Sequence, residues 1–212
     1  MYARTALCYN KSMKKAFFIC LLAGAAYWFF MTPETEIKNL HNPGLTVVAF
    51  GDSLTAGYGA GRDNSYPSVL AKKISRPVVN LGLSGDTGAA APVRLDKVME
   101  QNPYMVLIEF GGNDFMRGVG LEETEKSIRQ IVAAVQQYGA IAVIVDTGGY
   151  SQMARYTKLY KQIARETGAV FVPGILDGIF HQNKYKADQI HPNTAGYEIV
   201  AERVHKVIKP YL

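Results

Sequence analysis

Short apolar runs alternate with longer stretches of helical periodicity through most of the chain. Five of the runs are predicted to be β-strands, and three of these are almost continuously apolar. Such runs are typical of parallel strands that are covered on both faces. The strands are predicted at residues 46–50, 78–83, 105–110, 141–146 and 170–172.

Helices are predicted in the intervals between these strands. In the clearest one, Ile128, Ile131, Val132 and Val135 recur at helical spacing, and Gly139 follows as a stop signal. The alternation of strands and helices predicts an α/β fold, a three-layer α/β/α sandwich with right-handed crossovers. The helices are predicted at residues 66–75, 89–101, 121–138, 156–167 and 194–209.

The first 31 residues have a different pattern. A basic stretch precedes an apolar run over 16–31, which at 16 residues is just short of the ~20 needed to span a bilayer. We interpret residues 1–31 as a signal peptide or a signal anchor, and the sequence leaves both open. A polar linker is predicted over 32–44 and the globular domain over 45–212. The segment predicts an extracytoplasmic domain, anchored to the membrane through 16–31 or secreted after cleavage.

Charge excludes one class of partner. The formal net charge is +5, but four basic residues, Arg4, Lys11, Lys14 and Lys15, precede the first acidic residue, Glu34. The remainder therefore carries only +1, which is too little for a nucleic-acid surface. Both cysteines lie in the same N-terminal extension, so the domain has no disulfide and no thiolate metal ligand.

Polar or glycine-rich motifs follow four of the predicted strands. Open parallel sheets bind their ligands beyond the carboxyl ends of the strands, so these motifs are expected to converge on one site. They are Gly51-Asp52-Ser53, Ser84-Gly85-Asp86-Thr87, Gly111-Gly112-Asn113-Asp114 and Thr147-Gly148-Gly149.

Ser53 is the candidate nucleophile. A serine hydroxyl needs an adjacent base, and His191 is the candidate because Asp188 lies three residues before it and can hold the imidazole. Taken alone, Ser53 would be a helix N-cap and His191 a structural histidine. An acyl-transfer site also needs donors for the oxyanion, and the candidates are the backbone N–H groups of Ser53 and Gly85 and the side-chain amide of Asn113.

These four blocks, with Ser53, Gly85, Asn113 and His191 in order, resemble those of the SGNH (GDSL) hydrolases. The surrounding sequence is most similar to the bacterial arylesterase, acyl-CoA thioesterase I and lysophospholipase L1 branch. The resemblance implies a flavodoxin-like five-stranded parallel sheet of order 2-1-3-4-5 and hydrolysis through an acyl-enzyme. It implies neither a metal nor a cofactor.

The resemblance also implies the substrate class: a small acyl ester, a thioester or a lysophospholipid. The candidates to line an acyl pocket are Phe115, Met116, Tyr150 and Ile179, although each could equally be ordinary core or rim packing.

Other functions stay open at the level of sequence. A carbohydrate or peptidoglycan O-acetylesterase would use the same catalytic set. Gly57-Tyr58-Gly59-Ala60-Gly61 suggests a nucleotide-binding turn, but Arg62 stands where the third glycine of that pattern belongs. A catalytically dead surface-binding module is a further alternative, against which the presence of all four blocks argues.

Overall fold

A computed structural model describes Lys14 and residues 36–212 of the chain. The predictions of a signal peptide or anchor over 1–31 therefore lie outside the described residues. Among the helices that the structure describes, none combines the length and the apolar character needed to cross a membrane.

The centre of the fold is one five-stranded sheet. All neighbouring strands in it are parallel. Their order is β2-β1-β3-β4-β5, which confirms the predicted topology. The strands are β1 (Thr46–Gly51), β2 (Val78–Asn80), β3 (Pro103–Glu109), β4 (Ile141–Val145) and β5 (Val170–Val172).

Helices cover both faces of the sheet. Tyr66 and Tyr197, from the second and the last α-helix, pack on one face, while Val98, Ile128 and Tyr160, from the third, fifth and sixth, pack on the other. The predicted three-layer α/β/α sandwich is thereby confirmed. The α-helices of residues 36–212 are α1 (Ser53–Ala56), α2 (Tyr66–Ala71), α3 (Leu95–Met99), α4 (Gly112–Met116), α5 (Leu121–Tyr138), α6 (Ala154–Thr167) and α7 (Thr194–Ile208).

Strand residues divide between the two core layers by alternation. In β1, Val47 and Ala49 belong to the layer under α2 and α7, whereas Val48 and Phe50 belong to the layer under α5 and α6. Successive side chains of a strand point to opposite faces, so a continuously apolar strand supplies both layers at once.

Three predicted elements are several residues shorter than the sequence indicated. The helix predicted at 66–75 ends at Ala71. The helix predicted at 89–101 is a 3₁₀ turn, Ala91–Arg94, followed by the five-residue helix α3. The strand predicted at 78–83 ends at Asn80, whose side chain accepts a hydrogen bond from the backbone N–H of Gly82. The backbone N–H groups of Leu81 and Leu83 still donate to carbonyls of β1.

Part of the predicted linker packs on the domain. From residue 36 onward the chain belongs to the same compact unit as the sheet. Asn39 donates from its side chain to the carbonyls of Gln136 and Ala140, and Asn42 donates to the carbonyl of Tyr104. These contacts lie near the amino ends of β3 and β4. The polar motifs lie at the opposite, carboxyl ends of the strands.

Candidate active site

Ser53 begins a short helix directly after a buried strand. β1 ends at Gly51, and the carboxylate of Asp52 caps α1 by accepting a hydrogen bond from the N–H of Leu54 at 2.9 Å. Gly57 ends the helix with a left-handed φ of 87°. This sharp strand-to-helix turn holds the partly exposed Ser53 at the carboxyl edge of the sheet.

His191 and Asp188 complete a chain of hydrogen bonds that begins at Ser53. The Nε2 atom of His191 lies 3.0 Å from Ser53 Oγ, and its Nδ1 atom lies 2.8 Å from Asp188 Oδ2. The other carboxylate oxygen of Asp188 accepts from the backbone N–H groups of Ile190 and His191, each at 2.8 Å. The fold thus brings together a hydroxyl, an imidazole and a carboxylate, although Ser53 and His191 are 138 positions apart in the sequence.

The carboxyl group of Asp188 is held in its charged form. Its partial desolvation raises the pKa, but the hydrogen bonds from Ile190 and His191 outweigh this, so the pKa of Asp188 lies below its ordinary value. A carboxylate at this position keeps Nδ1 of His191 protonated and leaves Nε2 free to accept the proton of Ser53.

Asn113 connects the turn that carries Ser53 to the loop that carries Gly85. Gly85 has a left-handed φ of 81°, and no residue that the structure describes accepts a hydrogen bond from its N–H. The amide nitrogen of Asn113 donates to Asp52 Oδ2 at 3.0 Å and to the backbone carbonyl of Asp86 at 2.8 Å. Both hydrogens of that amide therefore already have acceptors.

An apolar cavity opens beside the Ser53 hydroxyl. Its volume is about 320 Å³, at the small end of ligand pockets, and Ser53, His191 and Asn113 lie on its wall. The remainder of the wall is mainly apolar. It includes Leu54, Phe115, Met116, Tyr150, Met153, Leu176, Phe180 and Ile190.

Three of the four residues that the sequence suggested for an acyl pocket line this cavity, namely Phe115, Met116 and Tyr150. Ile179 does not line it. It is buried in the core layer under α2 and α7. Leu176 and Phe180, which the sequence did not single out, belong to the same layer but also line the cavity. Tyr150 stacks on Phe180 with 4.4 Å between ring centroids.

A buried acid, Glu109, lies beneath the site and was missed from sequence. The carboxyl end of β3 places it beside Gly51 of β1, and its side chain is fully buried. Burial raises its pKa well above the ordinary 4.5, with the charge of the neighbouring Asp52 adding to the effect. The available signal was a single acidic residue inside the otherwise apolar run 105–110.

Candidate metal ligands do not cluster in the described part of the chain: no three His, Cys, Asp or Glu side chains come together there.

Fold and site together have the arrangement of an α/β serine hydrolase, because a serine at the carboxyl ends of parallel strands is hydrogen-bonded to an imidazole and that imidazole to a carboxylate. The chain belongs to the GDSL-like lipase/acylhydrolase family, whose model matches residues 49–199. This membership confirms the prediction of an ester-hydrolysing enzyme.

Similar proteins support the assignment. Thioesterase 1/protease 1/lysophospholipase L1 of Escherichia coli is 29% identical over 174 residues, which cover 78% of this chain and 84% of that protein. Esterase TesA of Pseudomonas aeruginosa is 28% identical over 204 residues, covering 91% and 98%. The crystal structure of TesA superposes with a TM-score of 0.74 at 27% identity and covers 79% of this chain and 99% of the solved one.

Proposed function

We propose that this protein is a serine esterase that hydrolyses carboxylic esters and thioesters of apolar acyl chains, lysophospholipids among them. One observation carries the proposal: the hydrogen-bonded chain from Ser53 through His191 to Asp188 opens onto an apolar cavity. The relatives support it, since one is named a thioesterase and lysophospholipase and another an esterase.

The proposed reaction begins with Ser53. His191 Nε2 takes the proton of Ser53 Oγ, which lies 3.0 Å away, and Oγ attacks the carbonyl carbon of the substrate. Asp188 stabilises the imidazolium that forms. His191 then donates the proton to the leaving alcohol or thiol, and water releases the acyl group from Ser53 by the same route.

The oxyanion needs donors at its own position. We assign them to the N–H groups of Ser53 and Gly85 and to the amide of Asn113. Because that amide already donates to Asp52 and to the carbonyl of Asp86, one of its hydrogens has to be shared with the oxyanion. The carbonyl of Asp86 is the acceptor we expect to yield, since it lies on the loop that carries Gly85.

A series of p-nitrophenyl esters from acetate to palmitate tests the function. We expect the rate of hydrolysis to be highest with medium or long acyl chains. In Ser53→Ala we expect kcat to fall by about 10³-fold or more while the melting temperature is preserved. Ser75→Ala is the matched control, because Ser75 is exposed at the other edge of the sheet. Full activity in Ser53→Ala would refute the proposal, and activity confined to acetate would instead favour the O-acetylesterase alternative.

We further propose that residues 16–31 direct the domain out of the cytoplasm and associate it with the membrane. The basic stretch before this apolar run supports that orientation. Fractionation of cells that express the full chain should place ester hydrolysis outside the cytoplasm, and a chain without residues 1–31 should leave it inside. Cytoplasmic activity from the full chain would contradict the proposal.

A further inference from the structure

Two carboxyl groups lie together in the core directly beneath Ser53. Residue pairing between β1 and β3 sets Glu109 beside Gly51, so its side chain reaches the turn that carries Asp52. Glu109 is fully buried and Asp52 is 2% exposed. A Cβ atom on Gly51 would collide with Thr55 Oγ1 and would lie 2.6 Å from the backbone carbonyl oxygen of Glu109 and 2.8 Å from its Oε2, so the glycine leaves room for both residues.

The oxygens of the pair have few partners. Glu109 Oε2 accepts from the hydroxyl of Thr55 at 2.9 Å, and Oε1 has no hydrogen-bond partner among the residues that the structure describes. Asp52 accepts from the N–H of Leu54 and from the amide of Asn113. The ion pairs found within residues 36–212 include neither acid. Two buried carboxylates without a counter-ion would be strongly unfavourable, so the pair is expected to hold a proton.

The proton belongs on Glu109. Burial raises the pKa of both groups, to about 6 for Asp52 and further above its ordinary value for Glu109. The interaction of the two side chains lowers the pKa of Asp52 and raises that of Glu109, the directions expected if a neutral Glu109 donates to a charged Asp52. The otherwise unpartnered Oε1 is the free oxygen for that proton.

We propose that Glu109 is a positioning residue for ester hydrolysis: its neutral carboxyl donates to the Asp52 carboxylate and thereby fixes the acceptor that orients the Asn113 amide. Asp52 then receives hydrogen bonds from three sides, and the amide of Asn113 cannot rotate away from the oxyanion. A neutral Glu109 also limits the negative charge beside the place where the oxyanion forms. The inference rests on the proposed function, because it assumes Ser53 as nucleophile and Asn113 as oxyanion donor.

Two substitutions of Glu109 test whether a hydrogen-bond donor to Asp52 is what matters at this position. Glu109→Gln keeps the shape and offers an amide N–H to Asp52, so we expect kcat to stay within about threefold of the wild type. Glu109→Leu removes the donor, and we expect kcat to fall by about 10- to 100-fold with KM little changed, because the lost alignment matters most in the transition state. A kcat that falls equally in both variants, or that is unchanged in Glu109→Leu, would overturn the proposal.

A double-mutant cycle tests whether Glu109 acts through Asn113. In an Asn113→Ala background, Glu109→Leu should lower kcat no further than about twofold, because the amide that it positions is already absent. A merely structural role would lower kcat by the same factor in both backgrounds and would overturn the inference.

Infrared difference spectroscopy gives a readout that needs neither turnover nor Glu109→Leu. Wild type minus Glu109→Gln should show the carbonyl stretch of a protonated carboxylic acid at neutral pH, and a carboxylate band in its place would refute the neutral Glu109. These outcomes are distinguishable from a failure of the proposed function. If Ser53→Ala stays active, the assignment of the reaction is wrong. If turnover depends on Ser53 but the double-mutant cycle shows no coupling to Asn113, only the role of Glu109 is refuted.

Discussion

At the scale of single residues, Asn113 has a double role in this structure. In the free enzyme its amide connects the carboxylate of Asp52 to the backbone of Asp86, and so it helps to hold the loop of Gly85 in place. The proposed reaction needs the same amide as an oxyanion donor. Such a residue is expected to affect kcat far more than KM, since the oxyanion exists only in the transition state and the tetrahedral intermediate.

Replacement of Asn113 by alanine should therefore lower kcat by about 10²-fold or more, in line with the loss of one oxyanion donor. Steady-state kinetics with a p-nitrophenyl ester measures this directly. Asn64→Ala is the matched control, because Asn64 is exposed and its side chain makes one hydrogen bond within the described residues, to the carbonyl of Ala60. A kcat close to that of the wild type would remove Asn113 from the oxyanion hole.

The raised pKa of Glu109 makes a prediction about stability. Above pH 4.5 the unfolded chain loses the proton of Glu109 while the native protein keeps it, so this group makes the native state less stable as the pH rises. Glu109→Gln removes that dependence. Its free energy of unfolding relative to the wild type should increase with pH from about 4.5 upward, with a limiting slope of ~1.4 kcal/mol per pH unit.

Urea unfolding at several pH values checks this slope. Glu202→Gln serves as the control, because hydrogen bonding from Lys73 lowers the pKa of the exposed Glu202 and its pH dependence has the opposite sign. A difference between Glu109→Gln and the wild type that does not change with pH would mean that Glu109 is ionised in the native state.

At the scale of elements, the sequence predicts the framework better than the details that complete the site. The three apolar runs of β1, β3 and β4 and the stripe of α5 are long-range burial patterns, and the structure agrees with them closely. The segment 175–180 holds two interleaved apolar pairs, Ile175 with Ile179 and Leu176 with Phe180. All four are buried in one core layer, and nothing in the spacing tells that only Leu176 and Phe180 also line the cavity, because that depends on how the loop packs on the domain.

The position of Glu109 beside Asp52 could not be predicted from the sequence for a related reason. An acid at the end of a buried strand is visible in the sequence, but its meaning depends on the neighbouring strand. Only the pairing of β1 with β3 sets it against Asp52. The pairing of Ser53 with His191, by contrast, could be predicted because both belong to motifs with a recognisable local pattern.

Asp114 links three elements around the site. It is fully buried and accepts hydrogen bonds from the N–H groups of Gly88 and Ala89, after β2, and from the hydroxyl of Thr124 in α5. Asp114→Ala leaves the N–H groups of Gly88 and Ala89 without these acceptors, whereas the hydroxyl of Thr124 keeps the carbonyl of Gly120. It should lower the free energy of unfolding by roughly 2–4 kcal/mol. It should also lower kcat, since the loop after β2 carries Gly85.

Chemical denaturation and kinetics on the same preparation measure both effects of Asp114→Ala. Asp96→Ala is the control, as Asp96 is an exposed acid in the first turn of α3. An unchanged kcat in a destabilised Asp114→Ala protein would show that Asp114 holds the fold without setting the geometry of the site.

At the scale of the whole molecule, the two edges of the sheet have separate roles. The carboxyl edge holds Ser53 and the cavity, while at the amino edge residues 36–44 pack on the domain. Asn39, with a left-handed φ of 66°, closes that contact through two side-chain hydrogen bonds to residues about 100 positions away. Substitutions at one edge are therefore expected to leave the other largely unaffected.

Asn39→Ala tests this separation. The loss of both hydrogen bonds and the strain of alanine at a left-handed φ should lower the free energy of unfolding by about 1–3 kcal/mol. The kcat on p-nitrophenyl esters should stay that of the wild type. Asn183→Ala, at an exposed residue of the described domain, provides the comparison. A parallel loss of kcat in Asn39→Ala would show that the two edges are coupled.

The hydroxyl of Tyr104 has a further consequence for how the chain can be rearranged. It lies 2.8 Å from the carbonyl of Tyr211 and 3.4 Å from that of Leu40, so both ends of the described domain meet at one atom of β3. Ends that are close together can be joined by a short peptide. A circular permutant with new termini in an exposed loop should keep the spatial order of the strands. The site at their carboxyl ends should then form even though the chain begins at a different position.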